Sequence, residues 1–429
     1  MTEREIRRLA GYLFARLPEA DLGAVSDPRQ GWTKWALRGL LNAVVSGLMA
    51  GCKGLAEIEE FTRALSQPMR RRLGFGGRVP DTTARDVICR LAPNELREAL
   101  HRIVRAAKRR KALEPVDFPF SVLTLDGKVT AIPCWGDFVQ RRFADNGVPY
   151  GLVRTVTCTL VKAAGRPCID AIPIPAETNE MGHFRYAFQA VNESFGKLFR
   201  LVTYDAGALS EENGRIVVEA GKDYLFRLKG EQRTMYKLAE EHFAAVAPVA
   251  QTVDILDKRR SVTRRLSLLT LQQHWAYGDG KAPAESAWSH ARTFVQIEAI
   301  TTTEDVETSR ETRLYVSSLR EGRLSPYQWL ALVRGHWGVE VNHNTLDTAF
   351  DEDERPGIVA NDNGVLVMIV LRRIAYTLLT LFRSVTQKSE QRRHTPFKTL
   401  MQRLYSAAVA ASEITLAGLR SRARLHVRA

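Results

Sequence analysis

Residues 121–128 read SVLTLDGK, and the change of period there decides the fold. Residues 121–125 read as a strand, whereas the residues upstream are spaced for helices. Asp126 closes the run and Gly127 follows it. Residues 199–207, FRLVTYDAG, repeat the arrangement: a strand over 199–204 that ends on Asp205, with Ala206 and Gly207 behind it. A lone Asp after a strand is usually a turn former. Two of them ask for chemistry only if their strands are neighbours.

Working outward, residues 1–111 read as helices. Residues 35–52 carry apolar positions at helical spacing, and 54–65 (GLAEIEEFTRAL) has acids in its first turn and Arg63 in its last. Residues 69–72, MRRR, read as a basic turn. Asp81 is expected to cap a helix running through Leu91, and 93–111 is another helix ending in KRRK. Short helices between basic turns suit a DNA-binding domain of helix-turn-helix kind; a plain bundle with a solvated basic face has the same pattern. Downstream of Asp126, residues 131–149 hold two Pro and two Gly and read as a loop. Strands are expected over 152–161 and 168–174, a helix over 178–195, a helix over 210–220 and a strand over 224–228. Three strands in a meander, then helix, strand, helix, strand, is the order of a ribonuclease-H-like α/β core. The first and fourth strands of that core are central neighbours, so Asp126 and Asp205 are expected side by side at strand ends, where α/β proteins build sites.

The pattern breaks over 231–325. Segments 264–271, 293–300 and 312–317 are strand-like, so this reads as a mainly β insertion. From Ser325 the chain turns helical, with Pro326 in the first turn, and the helix is expected to continue through 333–353. A second apolar helix covers 361–384, and 395–429 is helical before a basic tail with Arg420, Arg422, Arg424 and Arg428. The domains expected are a helical DNA-binding domain over 1–114, core over 115–230, insertion over 231–325, the rest of the core over 326–385, and a basic helical tail over 386–429.

Charge divides the same way. The 429 residues carry a net charge of +14. Residues 1–111 hold 22 Lys/Arg against 12 Asp/Glu, and 371–429 hold 12 against 2, which leaves the middle at −6. Basic ends around an acidic centre suit a protein that grips a polyanion and does metal chemistry between. Five cysteines, Cys52, Cys89, Cys134, Cys158 and Cys168, form no CxxC pair, so buried free thiols in a reducing cytoplasm are expected. The charged N-terminus MTEREIRRLA does not read as a signal peptide. The longest apolar runs fall short of the roughly 20 residues that cross a bilayer, so no membrane partner is expected.

Residues 333–353, VRGHWGVEVNHNTLDTAFDED, are the third chemical stretch. On a helix, Glu340 and Asp347 share a face, and Trp337, Val341 and Leu346 give it a side to bury. An inward carboxylate there needs a hydrogen bond, a cation or a metal. Two aspartates and a glutamate from separate elements suit two Mg²⁺ or Mn²⁺ ions, hard cations that take oxygen ligands, and two such ions serve phosphodiester displacement. Asp347 rivals Glu340 as the third carboxylate; Glu340 is preferred, with Asp347 beside it. Lys128 and Lys229 at strand ends are phosphate contacts or solvated lysines. Arg334 and His336 are candidate DNA contacts, and Trp337 either packs in the core or receives an unstacked base.

The ordered set of Asp27-Pro28-Arg29, GLAEIEEF (54–61), PDTTARDVICRLAPNELREAL (80–100), LTLDGK (123–128), ETNE (177–180), LVTYDAG (201–207), DYLFRLKGEQ (223–232) and RGHWGVE (334–340) with LDTAFDED behind it resembles the DDE transposases of bacterial insertion sequences. The likeness runs along nearly the whole chain, within the IS4-like group and closest to the ISAs1-type, H-repeat-associated proteins. The resemblance implies Asp126, Asp205 and Glu340 as a catalytic triad on two metal ions. It also implies water attack that exposes a 3′-hydroxyl at a transposon end, and attack of that hydroxyl on target DNA. Terminal inverted repeats and target DNA would be the partners of a homodimer on DNA, in the bacterial cytoplasm at the nucleoid. Glu177 and Glu180 fall near the site by the same likeness. One departure stands out. Where the IS4-like group has Tyr, Arg, Glu and Lys at fixed spacing, this chain has Val333, His336, Glu340 and Asp347, and Asn342-His343-Asn344 replaces a more aromatic segment. A nuclease of the same core without strand transfer, and an inactive domesticated DNA-binding protein, are the alternatives.

Overall fold

A computed structural model of the protein describes residues 1–133, 138–205, 209–229, 233–271, 288, 290–417 and 419. Ala206, Gly207, Gly230 and the basic tail with Arg420, Arg422, Arg424 and Arg428 lie outside the described residues, as do Cys134 and Gly136.

In chain order the helical N-terminal part contains α1 (Glu3–Arg16), α2 (Leu37–Met49), α3 (Leu55–Ala64), α4 (Gln67–Leu73), α5 (Asp81–Ile88) and α6 (Pro93–Arg109). Then come β1 (Val122–Pro133), β2 (Arg141–Phe143), β3 (Pro149–Leu160), β4 (Cys168–Pro173), α7 (Glu180–Phe195), β5 (Leu201–Tyr204), α8 (Glu211–Glu219) and β6 (Asp223–Leu228). The insertion supplies α9 (Arg233–Phe243), β7 (Ala250–Ile255), β8 (Arg260–Thr270), β9 (Thr293–Thr303) and β10 (Val306–Ser317). The chain closes with α10 (Pro326–His336), α11 (Gly338–Ala349), α12 (Asp362–Leu381), α13 (Glu390–Arg393), α14 (Phe397–Ala410) and α15 (Glu413–Leu416).

Strand order is β2-β3-β1-β5-β6-β10-β9-β8-β7, with β4 also paired to β3. β5 is parallel to both β1 and β6, and the insertion strands follow as an antiparallel meander on β6. The stretch β4-β3-β1-β5-β6 is the order expected of a ribonuclease-H-like core, and the fold is mixed α/β as the sequence indicates. The β insertion extends that sheet from its β6 side.

Several local readings change. Residues 69–72 are the body of α4, which Ser66 caps by accepting from Met69 N–H, and Gly74 ends it with φ +89. Asp81 is not a cap: Pro80 holds that position, and Asp81 sits in the first turn, where its carboxylate takes Arg85. β1 does not end at Asp126 but runs on to Pro133, so Asp126 and Lys128 lie within the strand; with β2 a short rung on β3, the loop expected at 131–149 is shorter. α9 and β7 lie in stretches the sequence left unassigned. The helix from Ser325 does not run through: it ends at His336, Trp337 turns, and α11 starts at Gly338.

The described residues form two compact units. The first comprises Met1–Glu114, Gly127–Glu177 and Glu340–Ala429; the second comprises Pro115–Asp126 and Thr178–Val339. Within the first, α12 packs against α2, α5, α6, β3 and β4. It is apolar and long enough, by length and composition alone, to cross a bilayer, and 94% of that span is buried in the protein. The buried Asp170 of β4 is bound in a fork by Arg97 of α6, at 2.9 and 2.8 Å. His101 Nε2 lies 3.0 Å from the same carboxylate. Burial pushes that carboxyl up, and the bonds from His101 and Arg97 outweigh it, holding Asp170 below the usual carboxylate range. Cys52, Cys89, Cys158 and Cys168 are free thiols.

In the second unit, Val202, Tyr204, Tyr224 and Phe226 make one face of the sheet, where Phe184 of α7 packs edge-on to Tyr204 and Phe226. The opposite face carries Thr203 and is met by α10.

Candidate functional site

The two aspartates come together in the second unit. β1 and β5 pair in parallel with Val122 opposite Leu201 and Thr124 opposite Thr203. Two residues further in that register, Asp126 stands beside Asp205, on the same face, about 4.8 Å apart along the hydrogen-bonding direction. The face is fixed by the buried pair beneath them: Thr124 Oγ1 and Thr203 Oγ1 are 2.7 Å apart. Both aspartates are half-buried. The Asp205 side chain keeps 42% of its exposure, and Lys229 Nζ lies 3.6 Å from its Oδ2.

His336, the last residue of α10, covers this face. Its Nδ1 shares a hydrogen bond of 3.2 Å with Thr203 Oγ1. Burial lowers its pKa to about 4, against the pull of Asp205 and with the help of Arg227 and Arg313. It is therefore a neutral ring at neutral pH, bonded to the hydroxyl beneath Asp205. Trp337 follows, half-buried, with the Arg313 guanidinium 4.5 Å and the Arg264 guanidinium 5.8 Å from its ring centroid. Arg334 is half-exposed and paired with Asp254 of β7 at 3.0 Å.

Glu340 belongs to the first unit. It is in the first turn of α11 and exposed. Two turns on, Asp347 meets Lys128. The lysine is 7% exposed, with Nζ 2.6 Å from Asp347 Oδ1 and 3.0 Å from Asp353 Oδ2. In this arrangement Lys128 is committed to two carboxylates rather than offered to a phosphate. Asp347, Glu352 and Asp353 bring ligand atoms within 4.8 Å of one another. Lys128 and Arg373 already supply the cations of that group, since Arg373 of α12 holds the fully buried Glu352 at 2.6 and 3.0 Å. Burial raises the Asp347 carboxyl, opposed by Lys128 and aided by Asp353 and Glu352.

The apolar side expected for α11 is only partly real. Leu346 is 1% exposed, whereas Val341 is 51% exposed. Asn342 takes over the buried position: its amide donates to Thr159 Oγ1 and Arg166 O, both at 3.0 Å, and Tyr376 OH donates to its Oδ1. Asn342 of the polar segment is thus bonded into the core, whereas Asn344 is exposed. Glu180 accepts from Tyr204 OH at 2.9 Å, on the far face of the sheet from Asp205.

His343 is lowered to about 3, first by burial, then by Arg373 and Lys128, with Glu352 opposing. Both His336 and His343 therefore titrate in the folded protein below the unfolded value of about 6.5. Stability is full above that value and falls as pH drops from about 6.5 towards 4, because the unfolded chain binds protons first. The urea midpoint should decline over that window, and a double His336→Gln/His343→Gln variant should decline less. A wild-type midpoint unchanged from pH 6.5 to pH 4 would show that these rings are solvated.

Sequence reading missed Arg227. It lies in 223–232, and the two-residue alternation from Lys229 was the signal that both share a face. In register, Arg227 stands opposite Asp205 on one side and Tyr315 on the other.

No protein-family model matches the chain. It is 23% identical over 407 residues to the Escherichia coli (strain K12) protein "H repeat-associated putative transposase YhhI", covering 91% of this chain and 96% of that one. It is 22% identical over the same length and shares to "Putative protein YbfL" of the same organism. The chain is thus similar along most of its length to a protein of the H-repeat-associated type. It also overlays on the cryo-EM structure of the piggyBac transposase synaptic complex with hairpin DNA, with a TM-score of 0.41, 11% identity, and 94% of this chain and 80% of that chain covered.

Proposed function

We propose that the protein is a DNA transposase that cuts and rejoins phosphodiester bonds, with Asp126, Asp205 and Glu340 as its three carboxylates. The observation that carries this is the register of β1 and β5, in which Asp126, inside β1, stands beside Asp205, just past the end of β5, on one face. Similarity along most of the chain to a protein named as a putative transposase supports it.

The donor set fits a hard divalent cation. The two aspartates offer anionic oxygens from adjacent strands, solvent reaches Asp205, and an ammonium lies nearby as counter-charge. Asp126, Asp205 and Glu340 would hold Mg²⁺ or Mn²⁺, which when bound supplies Lewis acidity for phosphodiester displacement. The Thr124–Thr203 pair and neutral His336 fix the floor beneath the acids without adding charge. Lys229, Arg334 and Trp337 line the side from which DNA approaches. The basic residues of 1–114 and of the C-terminal part would take DNA backbone through phosphate contacts, so affinity should fall steeply with salt. A homodimer on DNA would pair two element ends.

The test uses duplex oligonucleotides carrying the inverted repeats that flank the gene, a target plasmid and Mg²⁺. New 3′-hydroxyl ends and covalently joined strands are expected. Cut ends without joined strands would make it a nuclease. DNA binding with neither product would make it an inactive DNA-binding relative.

A further inference from the structure

Arg227 is a half-buried guanidinium, and among the described residues it has no hydrogen-bond or ion-pair partner. That is unusual for a group with five donors, because a desolvated charge normally finds an acceptor. Its neighbours explain the vacancy only in part. On the β6–β10 ladder Tyr315 is its cross-strand partner. Tyr315 is 2% exposed, and its hydroxyl is buried without a well-placed partner. The nearby acid, Glu311, is forked onto Arg313 at 2.6 and 2.8 Å. Asp205, on the other side, has Lys229 beside it. The Tyr315 hydroxyl can accept from Arg313, which has only donors to offer, so among the described residues two adjacent donors share one sheet face with no acceptor for them. They stand one and two strands from Asp205, about 5 and 10 Å away across the sheet.

An acceptor is what this pair lacks, and its place beside the acids says which kind. We propose that Arg227 and Tyr315 form a phosphate seat in the second unit, for the DNA phosphodiester that adjoins the one brought to Asp126 and Asp205. Guanidinium matches phosphate oxygens in a fork, and a neutral phenol adds a third donor. Arg313 cannot substitute while Glu311 holds two of its donors and Trp337 covers its face. The row across the sheet then reads two acids for the reacting phosphate, followed by donors for its neighbour. This rests on the transposase reading, since a protein that never meets DNA has no use for the seat.

The experiment measures binding of the full chain to a fluorescent duplex, without divalent metal, across a salt series. It compares wild type with Arg227→Gln, Arg227→Lys and Tyr315→Phe. Each phosphate contact contributes about 0.9 to the slope of log affinity against log salt on B-form DNA. Arg227→Gln should lower the slope by about that amount. Arg227→Lys should keep the slope and lose severalfold in affinity, and Tyr315→Phe should lose affinity with the slope intact. Arg227→Gln should also melt at the wild-type temperature, because no partner is left behind. Wild-type slope and affinity in Arg227→Gln would overturn the seat while leaving the transposase reading standing. A lower melting temperature in Arg227→Gln, restored by Arg227→Lys, would overturn it by showing a structural role. Wild-type protein that binds no DNA would overturn the transposase reading, and the seat with it.

Discussion

Asp205→Asn should remove DNA cleavage by about a thousandfold or more, roughly 4 kcal/mol of barrier, and leave DNA binding intact or tighter. The amide matches the carboxylate in shape and differs in donor character. Asp205 keeps 42% of its side-chain exposure, so the substitution leaves no cavity, and the Thr124–Thr203 pair that fixes the strands is untouched. What goes is an anionic oxygen, the ligand that a hard cation needs. Lys229 loses the carboxylate 3.6 Å away and becomes free for phosphate, hence the expectation of unchanged or tighter binding. Asp126→Asn and Glu340→Gln should behave alike. The three differ in what they test. The aspartates test a pairing set by register, whereas Glu340 tests whether the first turn of α11 contributes at all. Full cleavage by Glu340→Gln would sink the triad and turn attention to Asp347. Against Asp347 stands Lys128, whose ammonium bonds it at 2.6 Å.

How much of this was legible beforehand follows from which forces are local. The start of β1 and the end of β5 could be read because alternation is local and an Asp after a strand is conspicuous, whereas β1 continues through Asp126 and Gly127 to Pro133. Their pairing could be read because the order of elements restricts topology. The β insertion was visible in 264–271, 293–300 and 312–317, but β7 was not. Residues 250–255 form a strand at the end of the sheet, with Val253 and Ile255 exposed, so pairing with β8 rather than burial holds it there. The turn at Trp337 was hidden because 326–349 has helical spacing throughout. The ring's position over Arg313 and Arg264 depends on strands contributed by the insertion. Lys128 read as a phosphate contact or a solvated lysine because its partners lie more than 200 residues away. Arg372 and Arg373 interrupt the apolar sequence of α12, yet both are fully buried. Charges brought inside by distant partners are the class of feature that a single sequence hides best.

That class also gives the largest stability effect expected. Glu352 and Arg373 are each 0% exposed and joined by two bonds, at 2.6 and 3.0 Å. Burial raises the Glu352 carboxyl, but Arg373 and then Arg372 outweigh it and hold Glu352 below the usual range. Glu352→Gln keeps the shape and strands the guanidinium. Removing one partner of a buried pair costs about 3–5 kcal/mol, a large share of the roughly 5–15 kcal/mol that holds a typical protein folded. The urea midpoint should fall accordingly. Replacing both residues by apolar ones of similar volume should recover much of the loss, since the uncompensated charge goes with them. The pH dependence has a definite sign. A carboxyl with a lowered folded pKa contributes stability that is present above its unfolded value near 4.3 and is lost as pH falls below it. The gap between wild type and Glu352→Gln should therefore be widest near neutrality and close under acid. Lys128→Met is the control. Its partners Asp347 and Asp353 keep 35% and 44% of their exposure, so solvent screens what is left unpaired and the loss should be smaller. Equal midpoints for Glu352→Gln and wild type at neutral pH would refute the view that this pair anchors α12 to the end of α11. Glu340 would then owe its position to other contacts of that helix, such as the bonds that bury Asn342.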